Sequence, residues 1–283
     1  MLVTMNDVLK IAEEKKIAIG SFNCPNLENI MAVLSVAESL NVPVILMHAQ
    51  LHEEVVPLKI IAPVMVALAK ASSVPVCVHL DHCDDLDYLQ ESLRQGFTSV
   101  MFDGSLFPYE ENVAKTIKAV EYAHKVGASV EAEIGILGGR EAGSGDAGPK
   151  IEDMYTDPDL AKKFVDETGI DALAASFGTA HGFYKVAPKL DFDRIKRIKE
   201  LVNLPLVMHG GSGVSEEDYR TAIGIGIRKV NYYSYMGKAG VTGVKNYLAT
   251  HDNNADFFHE LANAAIDEMK ANITKAMKVF AGQ

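Results

Sequence analysis

Three histidines in this chain stand where short apolar runs give way to polar residues. His82 ends the run Val76-Cys77-Val78-His79-Leu80-Asp81-His82, His181 follows Ser176-Phe177-Gly178-Thr179-Ala180, and His209 ends Pro205-Leu206-Val207-Met208-His209. Three imidazoles that leave one position open make the ligand set of a catalytic zinc ion. One such histidine alone would read as a hydrogen-bonded core or rim residue. Three, each beside a glycine or a carboxylate, predict a shared metal. Asp81 abuts His82; it could exchange a proton with a substrate hydroxyl or orient the imidazole. Asp103 and Glu133 end neighbouring runs, where they could form a second or alternative metal position or orient the histidines. His79 lies inside its run, on the same side as Asp81 by the two-residue period of a strand, as a core or supporting group. His48 also ends a run. His52, His124, His251 and His259 are expected to be solvated.

Gly210-Gly211-Ser212-Gly213 follows His209 and leads to a helix opening at Ser215. Backbone N–H groups freed by glycine beside a helix N-terminus make an anion cradle. Asn231-Tyr232-Tyr233-Ser234 ends the last run, and barrels often bind phosphate after their seventh and eighth strands.

What must position these groups is an alternation of short apolar runs with longer segments of helical period. The runs are 17–23, 42–47, 74–82, 99–104, 129–135, 172–178, 205–211 and 229–234. They are nearly continuous in hydrophobicity, as strands buried on both faces are. Leu27, Ile30, Met31, Leu34 and Ala37 keep one helical face after the first run, and Leu86, Leu89 and Leu93 do so after the third. Asp157-Pro158 predicts an N-cap with proline at the first helical position. Gly96, Gly127 and Gly169 predict helix stops. Eight such units predict the α/β class, as a (β/α)8 TIM barrel whose strand C-terminal ends carry the chemistry. An extra C-terminal helical tail is expected at residues 256–281, and residues 1–283 read as one domain, because no composition shift divides them. An open doubly wound sheet is the alternative, but Ser21-Phe22-Asn23-Cys24-Pro25 stands where its glycine fingerprint would be. Segment 137–149 has five glycines and no apolar period, which predicts a long flexible loop over the active face.

The whole chain has 283 residues, 48% hydrophobic and 23% charged, which excludes general disorder. Its 27 basic and 38 acidic side chains leave a formal charge of −11, which argues against nucleic acid or an anionic membrane as the main partner. A locally positive pocket for a phosphorylated substrate is compatible with that balance. Cys24, Cys77 and Cys83 form no disulfide framework or metal pair. With no signal peptide and no apolar run of membrane length, a cytoplasmic location is expected.

Together these residues carry a pattern. His79-Leu80-Asp81-His82, Val130-Glu131-Ala132-Glu133-Ile134-Gly135 with Gly138-Gly139-Arg140-Glu141, Tyr155-Thr156-Asp157-Pro158, Phe177-Gly178-Thr179-Ala180-His181-Gly182-Phe183-Tyr184-Lys185 and His209-Gly210-Gly211-Ser212-Gly213 follow one another in order. From Asn6 to Asn246 the chain resembles the class II, zinc-dependent ketose-bisphosphate aldolases, the family of fructose- and tagatose-bisphosphate aldolases. The resemblance implies a lyase that reversibly cleaves a ketose 1-phosphate or 1,6-bisphosphate to dihydroxyacetone phosphate and an aldehyde, in glycolysis or related carbohydrate metabolism.

By that resemblance His82, His181 and His209 would hold Zn2+, and Asp81 would handle the C4 hydroxyl. Glu141 would move the proton at the carbon next to the ketone. Gly182, Lys185, Gly210, Gly211, Ser212, Tyr232 and the backbone of Tyr233 and Ser234 would belong to the substrate site, with Asn23 and Asn231 beside it. A sodium or potassium ion is implied near Gly182 and Gly210, and a homodimer or homotetramer as the assembly. Two places depart from the family. Asn231-Tyr232-Tyr233-Ser234 stands for Asn-Ile-Asp-Thr or Asn-Val-Ala-Thr, and no arginine follows Arg228, where bisphosphate members carry one for the distal phosphate. A related lyase taking a non-phosphorylated aldehyde is therefore the alternative. A zinc hydrolase on the same barrel is disfavoured, since the first run ends in Asn23 without a histidine pair. No lysine stands at the C-terminal end of a run, which disfavours Schiff-base chemistry.

Overall fold

A computed structural model describes residues 1–135 and 155–283. A two-residue strand β1 (Leu2–Val3) and helix α1 (Met5–Lys15) precede the eight expected strands, and neither was apparent from the periodicity. The eight are β2 (Ile19–Asn23), β3 (Val44–Ala49), β4 (Val76–Cys83), β5 (Ser99–Phe102), β6 (Ser129–Ile134), β7 (Ala172–Ala175), β8 (Leu206–Met208) and β9 (Ile227–Tyr232). Each pairs in parallel with the next, and β9 closes on β2 with Ser21 opposite Asn231. This is the TIM barrel. The last five runs extend past their strands. The sixth leaves the sheet at Ala175 and the seventh at Met208, each three residues early, and Tyr233 and Ser234 lie beyond β9.

The outer ring consists of α2 (Leu27–Leu40), α3 (Leu58–Ala71), α4 (Leu86–Arg94), α5 (Tyr109–Lys125), α6 (Pro158–Thr168), α7 (Phe192–Leu201), α8 (Glu216–Ile225) and α9 (Ser234–Thr250). Asp157 caps α6 by accepting from Leu160 N at 2.8 Å, with Pro158 following. Gly96, Gly127 and Gly169 all have positive φ at helix ends, as expected. The C-terminal helix α10 (Phe258–Phe280) starts two residues later than expected. It packs on α2 and α9, burying Ile266, Met269, Ile273 and Phe280, and Phe280 O accepts from Ala18 N at 2.9 Å. Among the described residues no helix is long and apolar enough to cross a membrane.

Two apolar layers hold the barrel. The larger lies between strands and helices. The smaller fills the barrel's lower interior with Ile19, Ile45, Met47, Cys77, Met101, Ala172, Ala174 and Val207, closed from below by Met5, Val8, Leu9 and Ala12 of α1. Beside and above this layer, the inward positions of β4, β6 and β9 and the residue after β8 are His79, Asp81, Glu131, Glu133, Lys229, Asn231 and His209, all buried. The site stands on these residues.

Candidate metal centre and active site

The three histidines converge. His209 Nδ1 lies 2.8 Å and His181 Nε2 3.2 Å from His82 Nε2, and all three ligand atoms lie within 4.8 Å of one another. Zinc–nitrogen bonds of about 2.0–2.1 Å in a tetrahedron separate ligand nitrogens by about 3.3 Å. The outer nitrogens decide the tautomers. His82 Nδ1–H donates to Asp103 Oδ2 at 2.7 Å, and His209 Nε2–H donates to Glu131 Oε1 at 2.7 Å. Ionised carboxylates only accept, so in the neutral rings His82 Nε2 and His209 Nδ1 face each other as bare lone pairs. A proton or a cation between them relieves that contact, with Asn231 Nδ2, 3.2 Å from His209 Nδ1, as a further donor beside it. The donor set therefore fits a divalent metal. Burial opposes a charge on His82, but Asp81, Asp103 and Glu133 outweigh it and raise its pKa well above the ordinary value, so a proton and a metal compete for the same nitrogen.

His82 reaches the interior through a defect in β4. Cys77 packs inside the barrel while Leu80 packs outside, so strict alternation would send His82 outward with Leu80. A register shift between Leu80 and Cys83, with His82 at φ 41°, reverses the parity. His82 turns in and Cys83 turns out. An extra residue of this kind re-aims a side chain, and positive φ at a non-glycine residue costs about 1–3 kcal/mol.

Asp103 and Glu133 join His82 as a second group of possible ligands, also within 4.8 Å. Burial would raise the Asp103 carboxyl, but its hydrogen bond to His82 and contacts with Ser105 hold it well below the usual range. Asp81 is fully buried and accepts from Asn23 Nδ2 and Asn231 Nδ2, each at 3.2 Å. Burial pushes its pKa up, but His82 above all, with Lys229 and the Asn23 hydrogen bond, carries it below the ordinary value. It is a carboxylate ready to take a proton. Asn231 Oδ1 is buried with no hydrogen-bond partner among the described residues, an acceptor that a bound hydroxyl could use. Glu141 lies outside the described residues, as do Gly138, Gly139 and Arg140.

Beneath the histidines lie two charged residues to which the sequence reading gave no role. Lys229 Nζ is 2.8 Å from Glu131 Oε2, and both side chains are fully buried. His79 stands beside them, 3.7 Å from the same oxygen, with Ser99 Oγ 2.8 Å from its Nδ1. The signal was available: both charges occupy inward positions within strands, two residues before Glu133 and Asn231 respectively.

The glycine loop after β8 is shaped by close approach. Gly210 has φ 61°, and a Cβ there would lie 2.4 Å from Ala180 O. Tyr184 OH accepts from Ala180 N and donates to Gly210 O, both at 2.8 Å, stapling the β7 and β8 loops. The helix expected to complete the cradle is poorly suited to an anion. Ser215 caps α8, and Glu216, Glu217 and Asp218 fill its first turn, so an anion is repelled there. The N-terminus of α9 carries no side-chain cap, and Tyr233 N at its start donates to Ser212 Oγ at 3.0 Å. Ser212 and Ser234 thus meet an uncapped helix end, the place where an anion is favoured. Gly182, at φ 99°, has open space where a Cβ would stand. Tyr232 points away from this face, donating to Asn272 at 3.0 Å, and Lys185 is exposed. Gly210→Ala is expected to lower stability by at least about 1 kcal/mol from left-handed strain alone. It should also raise KM for a phosphorylated substrate; unchanged KM and melting temperature would remove Gly210 from the cradle.

His52 is buried rather than solvated. Its ring packs 5.7 Å from Tyr233 and 6.1 Å from His48, whose Nε2 lies 3.1 Å from Tyr88 OH. His124 does sit at the surface, paired with Asp171 at 2.8 Å.

Comparison with known proteins agrees with this fold. A family model described as fructose-bisphosphate aldolase class-II matches residues 3–283. The YdjI aldolase from Escherichia coli K12 is 33% identical with a TM-score of 0.87, over 99% of this chain and 97% of that one. A provisionally assigned fructose-1,6-biphosphate aldolase from Coccidioides immitis is 29% identical with a TM-score of 0.87, over 98% and 95% of the two chains. The fructose-bisphosphate aldolase of Campylobacter jejuni shares the fold, with a TM-score of 0.82 at 23% identity over 99% and 95%.

Proposed function

Because this chain belongs to the class II fructose-bisphosphate aldolase family and is a lyase, we propose that it reversibly cleaves a ketose 1-phosphate or 1,6-bisphosphate to dihydroxyacetone phosphate and an aldehyde. The observation that carries this reading is the convergence of three histidine nitrogens beside the buried Asp81. Zinc, held by His82, His181 and His209, would supply Lewis acidity that lowers the cost of negative charge at the ketone oxygen. Asp81 takes the C4 hydroxyl proton while Asn23 and Asn231 hold its two oxygens in place. As the C3–C4 bond breaks, the aldehyde departs and the electron pair stays on the dihydroxyacetone phosphate half as an enediolate. Glu141 returns a proton to that carbon. Ser212, Gly210, Gly211 and the start of α9 bind the phosphate; Gly182 and Lys185 belong to the same half by resemblance. Asp103 keeps the His82 tautomer and, with Glu133, offers the metal a second position.

The monovalent cation rests on the resemblance, and Gly210 O already accepts from Tyr184. The aldehyde half has a second reading. Asn253-Asn254-Ala255-Asp256-Phe257-Phe258 stands where the family's distal-phosphate arginine belongs, and Tyr233 is bulky, which favours an aldehyde without a second phosphate. The ratio of activities on phosphorylated and unphosphorylated aldehydes separates the two. The enzyme works in the cytoplasm as one barrel domain per subunit of a homodimer or homotetramer.

The test is proton exchange on dihydroxyacetone phosphate in D2O, followed by NMR, with zinc-loaded protein and with chelator. Loss of one hydroxymethylene proton signal that the chelator abolishes is expected. Glu141→Ala should slow that exchange while leaving zinc bound, and unchanged exchange in this variant would take Glu141 out of the mechanism. No exchange by wild-type protein with zinc demonstrably bound would overturn the proposed reaction.

A further inference from the structure

We infer that the buried Glu131–Lys229 ion pair is a positioning device that fixes which ring nitrogen of His209 faces the metal centre. The inference rests on the zinc reading above and adds two residues to it. A neutral imidazole has two tautomers, and only the form protonated at Nε2 leaves His209 Nδ1 bare toward His82 and His181. The other form would point an N–H into the centre, where no ligand can carry one. Glu131 Oε1 lies 2.7 Å from Nε2. As an acceptor-only group, the carboxylate makes the useful tautomer the one that is hydrogen-bonded.

The carboxylate is itself held. Its second oxygen is 2.8 Å from Lys229 Nζ, and both side chains are fully buried. Lys229 stands on β9, Glu131 on β6 and His209 at the end of β8, so the pair spans the barrel's inside beneath the ligands. A buried ion pair is weak support for a fold, because apolar residues of the same volume often serve as well. Here the barrel changes from apolar to charged one layer below the histidines, and the charge nearest His209 is the one that orients it. With the Lys229 charge drawing one oxygen, the other stays aimed at Nε2.

The test uses the full-length protein and two readouts. One is zinc affinity by competition with a chromophoric chelator. The other is the long-range nitrogen–proton spectrum of the His209 ring in zinc-free protein, which reports the tautomer directly. Wild-type protein should show His209 protonated at Nε2 alone. Glu131→Leu should populate the other tautomer and weaken zinc binding about 10–100-fold, the usual cost of losing a ligand's outer partner. Lys229→Met should move both readouts the same way. Glu131→Gln combined with Lys229→Met should recover most of the affinity and the Nε2–H tautomer, because the glutamine oxygen still accepts and no charge is left unpaired. A purely space-filling role would leave the tautomer unchanged throughout. Wild-type tautomer and affinity in Glu131→Leu would overturn the inference. If that variant fails to fold, a double variant no better than Lys229→Met alone would overturn it. Wild-type protein that takes up no zinc would overturn the metal reading as well, a result distinct from either.

Discussion

His209→Ala is expected to lose tightly held zinc and aldol cleavage together. Its Nδ1 lies 2.8 Å from His82 Nε2, so the substitution leaves two imidazoles where three converge. It also strands Glu131, whose Oε1 accepts from His209, beside a buried ammonium. Lewis-acid stabilisation of developing charge is worth several kcal/mol, and about 1.4 kcal/mol is tenfold in rate. Cleavage should therefore fall by about 10³-fold or more, to the level of chelator-treated wild-type protein. Chelator should cost the variant nothing further. Measuring zinc content beside the rate decides the matter: stoichiometric, tightly bound zinc in the variant would end the ligand role of His209.

Much of this architecture was legible because each strand announces its own end. The run 74–82 is apolar but for His79 until Asp81 and His82, and Gly96 then stops the following helix at φ 95°. The three histidines fall at such ends, so their convergence follows from barrel closure. What was not legible depends on parity and on contacts across the barrel. By alternation His82 belongs outside, and only the shift between Leu80 and Cys83 brings it in. Glu131 and Lys229 are less legible because they lie within strands rather than at their ends. The anion cradle was assigned to the next helix along the chain, α8, yet its Ser215 cap and three acids exclude that. The helix we propose for it is α9, which the sheet brings beside Ser212 through the pairing of β8 with β9. His52 falls on a predicted loop or helix, where solvation is the expectation, and ring packing against Tyr233 buries it.

Asp81→Ala should produce the opposite dissection from His209→Ala. The zinc site should survive, since Asp81 hydrogen-bonds Asn23 and Asn231 and leaves the outer nitrogens of His82 and His209 to Asp103 and Glu131. Cleavage should slow by about 10²–10⁴-fold, the usual size of a general acid–base contribution. Proton exchange on dihydroxyacetone phosphate should continue near the wild-type rate. The reason is chemical: that compound has no C4 hydroxyl, so the proton that Asp81 moves is absent from the reaction, while the carbon that Glu141 serves is present. Asp81→Ala and Glu141→Ala thus separate the two halves of the mechanism, one losing cleavage with exchange intact and the other losing exchange itself. Full cleavage activity in Asp81→Ala would move the base elsewhere. Loss of exchange with zinc retained would show that Asp81 acts on the dihydroxyacetone phosphate half, and the division of labour proposed between the two carboxylates would fall.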